Sequence, residues 1–217
     1  MGIPQLGPLA IAGGVALLTA ACSFSIDVGD TVTESFDVED FDELEIKSAF
    51  EVDVVIGDET SVSFDVGEDV VDRLSVEVVD GRLIIDFDDG LFQTSGPLDV
   101  RITTPTLSVV DIDGAIDMEI DGLDADDFAV TIEGASKVEA EGTVETLTLK
   151  SSGATNVDFS DVTIGSAAVD IDGAATVKVS DAQSVTGSID GASTIEVPST
   201  GTVDIDSSGV SSIKQVG

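Results

Sequence analysis

A short motif recurs six times in the second half of the chain at nearly constant spacing, and that regularity constrains the fold more than any other feature. It reads as an acidic residue or Ser, then Gly, Ala, two small or polar residues and an apolar one. The copies begin at Asp113-Gly114-Ala115, Glu133-Gly134-Ala135, Ser152-Gly153-Ala154, Asp172-Gly173-Ala174, Asp190-Gly191-Ala192 and, with Val for Ala, Ser208-Gly209-Val210. Successive glycines lie 20, 19, 20, 18 and 18 residues apart. A fixed period near 20 is the mark of chains in which one repeat stacks on the next.

Around each Gly the apolar positions alternate with polar ones. Met118/Ile120, Val138/Ala140, Val157/Phe159, Val177/Val179 and Ile195/Val197 follow it, and Phe128/Val130/Ile132 or Ala167/Val169/Ile171 precede it. This period of two describes half-buried strands, and the β-branched residues suit them. The expected fold is therefore all-β: a single-domain parallel β-helix (β-solenoid) with ~18–20-residue rungs and an irregular N-terminal capping half. Each Gly would sit at a corner, where backbone approaches backbone. An antiparallel β-sandwich with regular hairpins also gives evenly spaced short strands. The small-residue corner at one place in every period favours stacking.

Residues 34–105 read as strands without the repeat, separated by the turn signals Gly57-Asp58, Asp80-Gly81 and Asp89-Gly90. They are expected to form irregular capping coils, with regular Gly-Ala rungs over 106–217 in one domain spanning 34–217.

The first 21 residues carry no charged side chain, and apolar Leu9–Leu18 leads into Thr19-Ala20-Ala21 and the single cysteine, Cys22. An apolar core of this length ending in small residues is expected to be a secretory signal (1–21), and a cysteine directly after those residues resembles a bacterial lipobox, which implies a lipoprotein-type signal peptide. Cys22 is the expected lipidation site, followed by a tether over 22–33. The protein is then exported and anchored to the bacterial cell envelope, facing outside the cytoplasm. One cysteine permits no intrachain disulfide.

Eight Lys and Arg stand against 44 Asp and Glu, a formal net charge of −36 with no His. Such a balance opposes nucleic-acid binding and keeps a protein soluble in salty surroundings. In a stack, Asp113 would neighbour Glu133 and Asp172 would neighbour Asp190. These four are the candidate cation-binding residues, with Ca²⁺ the cation that carboxylate oxygens suit. No dedicated Ca²⁺ loop spacing occurs, no metal ligand set is identified, and no other cofactor is expected. Without His there is no imidazole base and no Ser-His-Asp triad. The regular repeats leave no room for cleft-forming loops, so the expected class is non-enzymatic, with a polysaccharide-active β-helix enzyme the remote alternative.

Several segments together carry a family resemblance. They are Phe41-Asp42-Glu43-Leu44-Glu45-Ile46, Phe50-Glu51-Val52-Asp53-Val54-Val55-Ile56-Gly57-Asp58, Val79-Asp80-Gly81-Arg82-Leu83-Ile84-Ile85, Thr103-Thr104-Pro105-Thr106-Leu107 and the repeated Ser/Asp-Gly-Ala. Over roughly residues 34–215 the chain resembles the bacterial GIN-type domain, also called the putative autotransporter adhesin head domain. Members usually carry Ser-Gly-Ala, where this chain has Asp or Glu in four of six copies. The resemblance implies a β-helical domain exported to the envelope, often as a lipoprotein, with no established catalytic residues. The expected function is surface adhesion or binding of an extracellular glycan, matrix or protein ligand. The alternative is a structural or signalling envelope component acting through a protein partner. A lipid anchor would hold the chain at the membrane, and open stack ends leave room for oligomerisation.

Overall fold

The computed structural model describes residues 30–87 and 98–216. Fourteen strands and one helical turn follow in order: β1 (Thr31–Phe36), β2 (Glu43–Ser48), β3 (Glu51–Ile56), β4 (Ser61–Gly67), α1 (Glu68–Val71), β5 (Leu74–Val79), β6 (Arg82–Phe87), β7 (Leu98–Thr104), β8 (Val109–Gly114), β9 (Asp117–Gly134), β10 (Lys137–Lys178), β11 (Ala182–Gly191), β12 (Thr194–Pro198), β13 (Thr202–Ser207) and β14 (Ser212–Val216). The alternation seen in the sequence sets their faces. In β3, Val52 and Val54 are buried while Glu51 and Asp53 point outward.

The all-β expectation holds, but the parallel β-helix is corrected. All fourteen strands belong to one mixed sheet. It is nearly closed and barrel-like, and strands make up 77% of the structure. Three ladders are antiparallel: β1 with β4, β4 with β7 and β5 with β6. The physical reason lies in the turns. Asp80 and Gly81 both adopt positive φ between β5 and β6, which reverses the chain in two residues and forces antiparallel pairing. Parallel pairing at the spacing of the glycines is confined to ladders that begin with β8. There Asp113-Gly114 lies in register with Glu133-Gly134, and Asp172-Gly173 with Asp190-Gly191.

The glycines themselves form a column. A Cβ on Gly134, at φ +114°, would stand 2.3 Å from the carbonyl oxygen of Gly114, well inside contact distance. The same contact repeats up the column, so no side chain fits there. The column starts not at Gly114 but at Ser48, which pairs with it and holds φ 78°. Lys47-Ser48-Ala49 is thus a seventh copy of the motif, with Ser in place of Gly, set far ahead of the others by the hairpins between.

Inside the sheet one continuous apolar core runs from Phe41 to Val197. Around the antiparallel strands it is filled by phenylalanines: Phe36 meets Phe64 edge-on at 5.2 Å, and Phe50 stacks on Phe87 at 5.0 Å. Two residues after the column glycines, buried hydroxyls satisfy the backbone. Ser136 Oγ accepts the Ile116 N–H and donates to the Gly114 carbonyl, and Ser193 Oγ does the same for Ala175 and Gly173.

Candidate binding face

Five residues after each column position, one side chain points outward: Asp53, Glu119, Glu139, Asp158, Lys178, Glu196 and Lys214. Register places them on adjacent strands. Asp53 pairs with Glu119, Glu119 with Glu139, Lys178 with Glu196 and Glu196 with Lys214. On its other side Asp53 pairs with Arg101, which makes a 2.6 Å ion pair with Asp65. The result is a ladder of charges about 4.8 Å apart. Its carboxylates are crowded in the middle, and cations stand toward both ends.

A shallow groove of about 200 Å³ follows this ladder, lined by Glu119, Asp121, Glu139, Glu141, Asp158 and Asp161. It continues past Glu119 and Asp121 into a second groove of about 360 Å³, which adds Asp53, Arg101 and Thr103. Burial works to raise the Asp158 carboxyl, but hydrogen bonds from Lys178 and Ser160 outweigh it and hold it below the ordinary aspartate range. The same bond raises Lys178. Lys137, hydrogen-bonded to Glu139 at 2.7 Å, is raised likewise. Both lysines therefore stay charged, and Asp158 stays ionised at neutral pH.

The four candidate cation residues fall in a different column, beside the glycines. Asp113 and Glu133 are in register and exposed, as are Asp172 and Asp190. Lys47 pairs with Asp113, and Ser208 donates to Asp190 at 2.7 Å. Ser152 stands between the two pairs, so they do not merge into one cluster. Among the described residues no group of three His, Cys, Asp or Glu is placed to hold a metal ion. Cys22 and the signal segment lie outside the described residues.

The small polar residues around the column divide between the two faces of the sheet. Ser152, Asn156 and Ser188 are exposed as a binding face would need, whereas Ser151, Thr155 and Ser193 are interior. Ser151 and Thr155 bond each other at 2.6 Å. Reading outward from the motif's start missed the groove carboxylates. The available signal was the acidic residue at the fifth place after each of Gly114, Gly134 and Gly153.

Chemically, the groove is an array of hydrogen-bond acceptors and negative charge on rigid strands. It suits amines, guanidinium groups and hydroxyls. None of its carboxylates sits in the deep apolar pocket that raises a carboxylic acid for general-acid work.

Comparisons with known proteins bear on the family and the fold. Residues 40–217 match the family described as "Putative auto-transporter adhesin, head GIN domain". A putative adhesin from Bacteroides fragilis NCTC 9343 superposes with TM-score 0.68 at 19% identity, covering 86% of this chain and 97% of that one. A putative adhesin from Parabacteroides distasonis ATCC 8503 gives 0.64 at 15% identity, covering 87% and 98%. A putative lipid binding protein from the same organism gives 0.54 at 14%, also covering 87% and 98%. At these identities the likeness is one of fold. No curated protein matches the sequence.

Proposed function

The chain belongs to the putative auto-transporter adhesin head GIN domain family, and from that premise we propose that it is a non-enzymatic binding module displayed on the bacterial cell envelope. The observation that carries this reading is the carboxylate ladder with its continuous groove. Its acceptors repeat at the strand spacing on a frame that cannot easily deform. A face of this kind suits an extended extracellular polymer, a glycan or matrix protein, that offers hydroxyls or positive groups at intervals. Acidic polysaccharides would be repelled by the charge of −36. The family and its structural relatives are described as putative adhesins or a putative lipid binding protein, in keeping with a binding role.

The test is an array of neutral, amine-bearing and acidic glycans, with matrix proteins alongside. Binding to neutral or amine-bearing ligands is expected, and a Glu119→Gln/Glu139→Gln/Asp158→Asn variant should weaken it about tenfold, close to 1.4 kcal/mol. No binding, or binding indifferent to the triple variant, overturns the reading. In this proposal Cys22 carries a lipid that holds the module at the membrane. Cys22→Ser should then move the exported chain from the membrane fraction to the soluble one.

A further inference from the structure

The two ends of the sheet are finished differently. At one end antiparallel strands and phenylalanines fill the interior. At the other, the layer of β13 and β14 pairs on one side only among the described residues: β13 with β11 and β14 with β12. Its core residues are left half-finished. Ile213 is 38% exposed, whereas Ile195, its neighbour in register one layer back, is fully buried. Val203 is partly uncovered above a fully buried Val185. Val210 stands 84% exposed at the corner after Gly209. A pair of free strand edges with apolar side chains beside them is a pairing surface that stable proteins rarely leave open.

The layer is also complementary to itself. Gly209 lies at its corner, with β13 entering and β14 leaving. A two-fold axis through that corner lays β13 of one copy on β14 of a second, and reverses the strand direction as it does so. Residues equally far from Gly209 then face each other. Asp204 meets the second copy's Lys214, and Ile205 meets its Ile213. Gly209 falls opposite Gly209 at the axis, and each Val210 falls opposite Ser208 of the second copy. The Asp204–Lys214 and Ile205–Ile213 pairs each occur twice, as an isologous interface requires.

We propose that this end of the sheet is a homodimer interface, closed by antiparallel pairing of β13 with β14 of a second copy around Gly209. The dimer covers the unfinished core and leaves both binding faces outward, making the module bivalent. Repulsion between two chains of net charge −36 opposes it, so association strengthens as salt screens the distant charges.

The experiment is sedimentation of the full chain at micromolar concentration, in physiological and in high salt. A dimer is expected, tighter in high salt. Val210→Asp puts a carboxylate from each copy beside the axis, opposite Ser208 of the other copy. Because Val210 is so exposed, this change leaves the monomer folded, with an unchanged melting temperature, and should return the protein to monomer. Asp204→Lys and Lys214→Glu should each weaken self-association at least tenfold, yet associate with one another when mixed, since the mixed dimer has opposite charges at both contacts. A monomeric wild type, a dimer indifferent to Val210→Asp, open-ended assemblies, or single-charge variants that fail to complement would each overturn the proposal.

Discussion

Gly134 is glycine because the carbonyl oxygen of Gly114 occupies the place of its side chain. Gly134→Ala must push a methyl group into a contact of 2.3 Å against backbone while holding φ at +114°. The neighbouring layers cannot separate without breaking the sheet, so the cost should be about 3 kcal/mol or more. Chemical denaturation would measure it, and a loss under 1 kcal/mol would show that the layers slide apart easily. Ser48 is the converse case. It holds φ 78° at the head of the same column, with its hydroxyl 3.2 Å from Asp86 as partial compensation. Ser48→Gly should therefore stabilise the protein, by about 0.5–1 kcal/mol. A destabilised variant would mean that the Asp86 bond outweighs the strain. The six later glycines were legible as a column from their spacing. Ser48 was not, because the hairpins between it and Gly114 break the period, and Ser masks the one conserved-looking mark of the motif.

At the scale of the strand, the alternation of apolar and polar residues revealed where strands run and which face each buries. It did not reveal their partners. β2 pairs with β6 on one side and β8 on the other, both far away in sequence, and no local pattern names a distant neighbour. From β8 onward the period itself supplies the register, so the adjacency of Asp113 with Glu133 could be read in advance. Before β8 the information sat in turns. Asp80-Gly81 dictates an antiparallel hairpin, and extending the parallel array across it was the error. The ladder of outward charges is a property of paired strands, and its strongest contact offers a test. Asp158 is held below its ordinary value of 3.8 by the bond with Lys178, despite partial burial. A carboxyl depressed in the folded state contributes stability above its unfolded pKa and loses it as pH falls through the folded one. Lys178→Met should cost about 0.5 kcal/mol at pH 7, since a third of the lysine is exposed and solvent screens the pair. The gap between wild type and variant should close in acid, once pH has fallen through the lowered pKa of Asp158 and the carboxyl is protonated. An equal gap at pH 7 and in acid would assign the loss to packing of the lysine stem instead.

Across the whole molecule the dominant unbalanced quantity is charge. Forty-four acidic residues share eight basic ones, and many of the described basic groups are committed locally. Arg82, for instance, reaches Glu43, Glu45 and Asp111 together, and Arg101 holds Asp65. Elsewhere carboxylates face carboxylates at the strand spacing, as Asp113 faces Glu133 and Asp172 faces Asp190. Folding brings them together, so folding is opposed by a repulsion that salt relieves. At about 0.01 M salt the screening length is ~30 Å, comparable to a small domain, and at 1 M it is ~3 Å, shorter than the gap between paired carboxylates. The melting temperature should therefore climb over that range. Ca²⁺ separates screening from binding. A bound Ca²⁺ takes six to eight oxygens, and each exposed acidic pair supplies two carboxylates on open strands, too few for a closed shell. CaCl₂ and NaCl matched in ionic strength should then raise the melting temperature alike. A clear excess with Ca²⁺ would locate a specific site, to be sought by Asp113→Asn/Glu133→Gln and by Asp172→Asn/Asp190→Asn. A melting temperature indifferent to both salts would mean that the folded chain holds its carboxylates far enough into solvent for water alone to keep them apart.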